Sequence, residues 1–181
     1  MTWMRCFGGE LVAPEFPIVE TWRDFVTDQA RLARVRFLSV GVDFGDRTRA
    51  DAYDTMRLDS GAPFSIIPYS VWQQRQLPWQ PLGTEFYTPQ GQLDQHALTW
   101  LGVPCFFGEL RIRLVDEFIQ RSRFLRLVAK LPTHAVASHL EHMALLGCNF
   151  LADNSLPMTL DPAHRTNAGI FTNVVGHITV L

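Results

Sequence analysis

The chain reads as short runs of alternating apolar and polar residues, separated by turn signals. In Glu109-Leu110-Arg111-Ile112-Arg113-Leu114, apolar and mostly charged residues alternate cleanly. From Phe124 to Leu131, residues Leu125, Leu127, Ala129 and Leu131 fall on one face. This period of two is that of a strand with one buried face. Phe37 to Phe44 alternates in part and predicts a further strand, turned by Gly45-Asp46-Arg47. Tyr53 to Leu58, Met158 to Leu160 and Ile170 to Leu181 also read as strands, and Pro132 ends the Phe124 run. Glu85 to Leu93 predicts a hairpin with Pro89-Gln90-Gly91 at its tip.

Helical signals are few. Thr21 is a suitable N-cap for a helix over Trp22 to Ala33, with Asp24 in its first turn and Trp22, Phe25 and Val26 facing inward. Pro68 to Gln76 predicts a short helix anchored by Trp72, and another lies near Asn149 to Asp153. Met1 to Val19 reads as irregular, with Gly8-Gly9, Pro14 and Pro17. The sum is a mainly β chain suited to a small closed β-barrel, with one or two short helices and an N-terminal helical arm. The arm would occupy 1–36 and the barrel domain 37–181.

Composition narrows the partners. The 181 residues suffice for one domain with a real core. A formal net charge of -2, with no Lys/Arg-rich run, argues against nucleic acid and anionic membrane as main partners. No uninterrupted apolar stretch is long enough to span a bilayer. Arg5, Glu10 and Glu15 break up the N-terminal apolar residues, so no signal peptide is expected. Cys6, Cys105 and Cys148 are scattered, which predicts reduced thiols in a cytoplasmic protein. Cys148 follows directly on an apolar run and reads as a buried structural thiol.

The chemistry-bearing stretch is Met56-Arg57-Leu58-Asp59-Ser60-Gly61-Ala62-Pro63-Phe64-Ser65-Ile66-Ile67-Pro68. An apolar strand runs into Asp59, turns at Gly61 and restarts near Ser65. An ionised carboxylate at the end of an apolar strand is costly unless paired or hydrogen-bonded. Ser60 can give and accept hydrogen bonds that hold the turn, and Gly61 permits a tight one. Asp-Ser-Gly alone is an ordinary surface-turn sequence, but here both flanks are apolar.

Far downstream lies Ala144-Leu145-Leu146-Gly147-Cys148-Asn149-Phe150-Leu151. Together, Asp59-Ser60-Gly61-Ala62 and Leu145-Leu146-Gly147 with Asn149-Phe150-Leu151 resemble the retropepsin-like aspartic proteases. That family carries Asp-Thr/Ser-Gly-Ala after an apolar strand, and a late apolar-apolar-Gly element followed by a short helix. The resemblance covers roughly Phe37 to Leu160. It implies an acid-protease-type barrel and an aspartic endopeptidase that needs no cofactor or metal. It also implies a protein or peptide substrate. Pepsin-like enzymes hold two such loops in one long chain; with one loop here, the second must come from another chain, in a homodimer. Asp59 of each chain would then share a proton and a water. A hairpin flap over the substrate is implied in the Glu85–Leu93 interval, with Tyr87 and Gly91 as its candidates. Two family features are replaced together. Pro63-Phe64 stands where viral members place acids, and Cys148 where they place the arginine that pairs with them. Losing both leaves no buried charge stranded.

Other chemistries fit the sequence less well. His134, His139 and His142 lack the His-Glu-x-x-His zinc spacing and read as solvated histidines. No Gly-x-Ser-x-Gly occurs for a serine nucleophile. A cysteine nucleophile with a distant histidine stays open. Two rivals to the protease remain: a protease-fold domain that binds peptides or mediates assembly without cleaving, and an unrelated barrel in which Asp59 caps a turn. A strict monomer would fit the first rival, because it could not assemble the pair of aspartates. Exposure of Asp59 would fit the second.

Overall fold

A computed structural model describes residues 5–7, 10–26, 32–46, 49, 52–82 and 99–181. Over these the chain is mainly β, with two short helices. The strands are β1 (Arg5–Phe7), β2 (Glu10–Val12), β3 (Glu15–Val26), β4 (Leu32–Asp43), β5 (Asp54–Leu58), β6 (Ser65–Ile66), β7 (Gln80–Pro81), β8 (Thr99–Trp100), β9 (Val103–Val115), β10 (Leu125–Pro132), β11 (Leu145–Leu146), β12 (Met158–Leu160), β13 (Thr166–Ala168) and β14 (Phe171–Thr179). The helices are α1 (Tyr69–Trp72) and α2 (Cys148–Asp153). β1 and β2 form a separate hairpin.

The main sheet has the order β12-β14-β3-β4-β5-β11-β6-β10-β9-β7, with β13 against β14 and β8 against β9. β4 also pairs with β9, Gly41–Asp43 against Arg113–Val115. The alternating patterns explain where the core lies. Leu110, Ile112 and Leu114 of β9 are buried while Arg111 between them is exposed. On β10, Leu125, Leu127, Ala129 and Leu131 are all buried, as their shared face predicts. Met56, Ile67 and Phe150 complete the core beneath the Asp59 loop. Trp72 of α1 is buried too. Its indole nitrogen donates to the Pro132 carbonyl at 3.2 Å, and its ring meets Trp79 and Phe106 edge-on. Hydrogen bonding explains why this amphipathic ring tolerates burial there.

The helix expected over Trp22 to Ala33 is not there. Residues 22–26 belong to β3 and residues 32–33 to β4, paired antiparallel from Ile18↔Val40 to Val26↔Leu32. The stretch before Val19 is likewise not irregular, since it holds β1, β2 and the start of β3. The spacing of Trp22, Phe25 and Val26 imitates a helix face. The true period of two, Phe16-Ile18-Glu20, is hidden because its third member is a carboxylate. Glu20 is only 1% exposed and pairs with Arg36 and with Arg165, each at 2.5 Å. Arg165 lies 145 residues downstream, so nothing local marks Glu20 as an inward position. β4 and β14 then supply a ladder on each edge of β3.

A second buried carboxylate joins β4 to β9. Asp43 receives Arg113 and Arg121, each at 2.6 Å, and the Gly45 N–H at 2.8 Å. Burial alone would raise its pKa. The Gly45 N–H and the two guanidinium groups outweigh that and hold it below the ordinary carboxylate value. Glu20 is also held low, chiefly by its hydrogen bond from Arg165, with burial opposing.

Both folded-state values are depressed, so both groups stabilise the fold above their unfolded values of about 4. That stabilisation is lost as pH falls through the folded values. We expect urea midpoints to stay flat from pH 7 to pH 5 and to fall steeply below about pH 4. Asp43→Asn leaves two arginines uncompensated and should cost about 3 kcal/mol in urea denaturation.

Candidate functional site

β5 carries the chain to Asp59, and β11 receives it. Leu145 and Leu146 run parallel to Arg57 and Leu58, while Leu145 also pairs antiparallel with Ile66 of β6. β11 is thus inserted between two strands that neighbour one another in the sequence. The Arg57 N–H donates to the Ala144 carbonyl at 3.0 Å, and the Asp59 N–H to the Leu146 carbonyl at 3.0 Å. The Asp59 backbone is therefore tied to an element more than eighty residues away in the sequence.

The turn closes on itself and then on Gly147. Ala62 N–H donates to the Asp59 carbonyl at 3.1 Å, and Gly61 N–H to Asp59 Oδ1 at 3.0 Å. Cys148 N–H donates to the Ala62 carbonyl at 2.9 Å, and Cys148 Sγ to the Ser60 carbonyl at 2.9 Å. A β-carbon on Gly147 would stand 2.5 Å from the Phe64 carbonyl carbon and 2.7 Å from the Ala62 carbonyl oxygen. No side chain fits there, because what it would meet is backbone. Glycine is required by close approach rather than by an unusual backbone angle, since Gly147 has φ of -83°.

A buried polar network locks the two segments. Ser65 is fully buried; its hydroxyl accepts from Gly147 N–H at 3.0 Å and donates to Asn149 Oδ1 at 3.0 Å. Ser65 N–H also donates to Asn149 Oδ1, at 2.8 Å, and Asn149 Nδ2 donates to the Val128 carbonyl at 2.7 Å. Ser65 reads from the sequence only as the residue where a strand restarts. Its role could have been suspected from a hydroxyl placed in an apolar run, where burial demands a partner.

Asp59, Ser60 and Gly61 are exposed, and Ala62 is half-buried. Among the described residues Asp59 makes no ion pair, and its carboxylate is held by the Gly61 N–H. The result is a carboxylate presented to solvent on a backbone fixed from below. A single carboxylate can accept or give one proton at a time; activating a water and protonating a carbonyl together needs a second one. The structure brings together Asp59, Ser60, Gly61 and Ala62 with Leu145, Leu146 and Gly147. Tyr87 and Gly91, with the expected flap hairpin, lie outside the described residues.

The thiols separate. Cys105 is buried, which pushes its pKa up to about 11. Cys148, expected to be buried, is exposed. It opens α2 on the side of the Asp59 turn, whereas Phe150, two residues on, is the buried anchor of that helix. Among the described residues no group of three His, Cys, Asp or Glu is placed to hold a metal ion, and no helix is long and apolar enough to cross a membrane.

Two outcomes test the clasp. Gly147→Ala must push the 62–64 backbone away, and Asn149→Ala strands the Ser65 N–H and the Val128 carbonyl. Each should cost about 3 kcal/mol by urea denaturation, and Asn149→Asp should recover only part of the loss. Alkylation at pH 8 followed by peptide mass analysis should modify Cys148 readily, while Cys105 reacts only after unfolding. No family model matches the chain, and no curated protein matches it; the functional reading therefore rests on the Asp59 loop and what clasps it.

Proposed function

We propose that this chain is a retropepsin-like aspartic endopeptidase that works as a homodimer, with one Asp59 from each chain. The observation that carries the reading is the clasp. The two segments on which the family resemblance rests are far apart in sequence, yet Leu146 and Cys148 hydrogen-bond directly to the Asp59–Ala62 turn, with Gly147 packed close against the Ala62 carbonyl. The ring of pairings β4-β5-β11-β6-β10-β9, returning to β4, supports an acid-protease-type barrel. The unpaired Cys105 and Cys148 fit a reducing, cytoplasmic setting.

In the dimer the two carboxylates share one proton. The ionised one takes a proton from water as it attacks the scissile carbonyl, and the protonated one gives its proton to the carbonyl oxygen. Two ionised carboxylates this close would repel, so one proton is kept between them. No cofactor or metal enters the step. The substrate is a protein or peptide in extended form.

A second reading has its own observation. Asp59 is exposed and its Oδ1 accepts from Gly61 N–H, an arrangement that any capped surface turn shares. On that reading the chain is an unrelated β-barrel in which Asp59 merely caps a turn; the other rival, a protease-fold domain that binds peptides or mediates assembly without cleaving, is told apart by oligomeric state.

The two diverge in solution. Asp59→Asn should lower cleavage of a denatured-protein substrate at least a hundredfold, with the melting temperature nearly unchanged because Asn can keep the Gly61 hydrogen bond. Activity per subunit of the unaltered protein should fall on dilution as the dimer dissociates, with mass followed by light scattering. It should be greater at mildly acidic than at alkaline pH, where the shared proton is lost. Full activity of Asp59→Asn, or undiminished activity in a monomer, would contradict the proposal.

A further inference from the structure

β4 outruns its neighbour. Leu38 pairs with Leu58, the last residue of β5, so Phe37 stands level with Asp59, where the chain turns away. Among the described residues, 32–37 continue paired only with β3, down to Val26↔Leu32. Six residues at about 3.4 Å carry this two-stranded ribbon roughly 20 Å beyond the Asp59 loop.

A lone two-stranded ribbon is marginal in water, and among the described residues no further strand pairs with this one. Trp22 is 46% exposed and Val35 38%. Trp22 pairs in register with Arg36, and Val35 with Arg23, so alternation sets the two on opposite faces. Arg34 lies over the Trp22 ring at 5.5 Å. At its base the ribbon is clamped by buried Glu20 between Arg36 and Arg165. Its direction is thus set by the body of the domain.

The shared-site reading puts a second copy against this same end. A four-residue loop cannot supply the roughly 800 Å² per partner that a stable interface buries. The positions of the viral acid–arginine pair hold Pro63, Phe64 and Cys148. β14 is a poor substitute, since it is paired on both edges and buries Phe171, Val174, Val175 and Ile178 within its own chain. Among the described residues the ribbon is the feature that projects far enough, with Trp22 and Val35 to bury on either face.

We propose that the overhanging ribbon, 21–26 with 32–37, is a docking arm that grips a second copy of this chain beside its Asp59 loop and covers Trp22 and Val35 there. This rests on the shared-site reading, but its test is separable.

Two variants would be compared with the unaltered protein by sedimentation over a dilution series. Val35→Glu places a charge in the contact without altering the backbone ladder of β3 and β4, so the ribbon itself should persist. The second variant replaces 24–34 by Asn-Gly, closing a short hairpin between Arg23 and Val35. Each should raise the dimer dissociation constant at least tenfold and leave the monomer folded by thermal melting. As a check independent of any variant, amide exchange at 22–26 and 32–37 in the unaltered protein should slow with rising concentration. Dimers as tight as the unaltered protein's, or exchange in the ribbon that ignores concentration, would overturn the arm while leaving the shared site standing. A dimer that loosens in both variants but never cleaves peptide would support the arm and count against the peptidase. An unaltered protein that stays monomeric at every concentration would overturn both.

Discussion

The close approach of Gly147 to the backbone of residues 62–64 is the constraint around which the site is arranged. It lets β11 slide between β5 and β6, so that Leu146 takes the Asp59 amide and Cys148 reaches the Ala62 and Ser60 carbonyls. Ser65 and Asn149 stand behind it, with their buried polar atoms satisfied by one another and by the backbone. Such a network is stabilising only when complete. The consequence is a rigid turn beneath a carboxylate that its own chain leaves in water.

What the sequence revealed follows from how local each signal is. β9 and β10 are legible because Leu110, Ile112 and Leu114, and Leu125, Leu127, Ala129 and Leu131, fall at every second position and are buried. The Asp59 turn is legible because an acid between apolar flanks has few explanations. The clasp is half legible: Leu145-Leu146-Gly147 stands out, but Ser65 gains its role only from Gly147 and Asn149, more than eighty residues away. β3 is misread because Glu20, compensated by Arg165 across the sheet, breaks its alternation, and Trp22, Phe25 and Val26 fall at helical spacing by chance. Cys148 is misread because the apolar run before it belongs to β11, while the thiol itself begins α2 and turns to the loop.

The charges divide along the same line. Asp43 and Glu20 are buried, multiply bonded and structural; they tie β4 to β9 and β3 to the turn before β13. Their loss in acid sets a lower limit of pH below which the fold weakens. The proton shared by two Asp59 groups would set the upper limit for activity. An aspartic peptidase built on this chain therefore has its working range confined from below by stability and from above by chemistry. Asp59 itself contributes little to holding the fold, which is why its replacement is an informative one.

The central claim is that two Asp59 loops meet. A crystal structure of the protein with a peptide-like transition-state analogue tests it most directly. The account predicts a two-fold dimer in which the two Asp59 carboxylates lie about 3 Å apart, both within hydrogen-bond reach of the analogue's hydroxyl. An analogue bound elsewhere, or Asp59 facing solvent in each copy with no second Asp59 near it, would contradict the account.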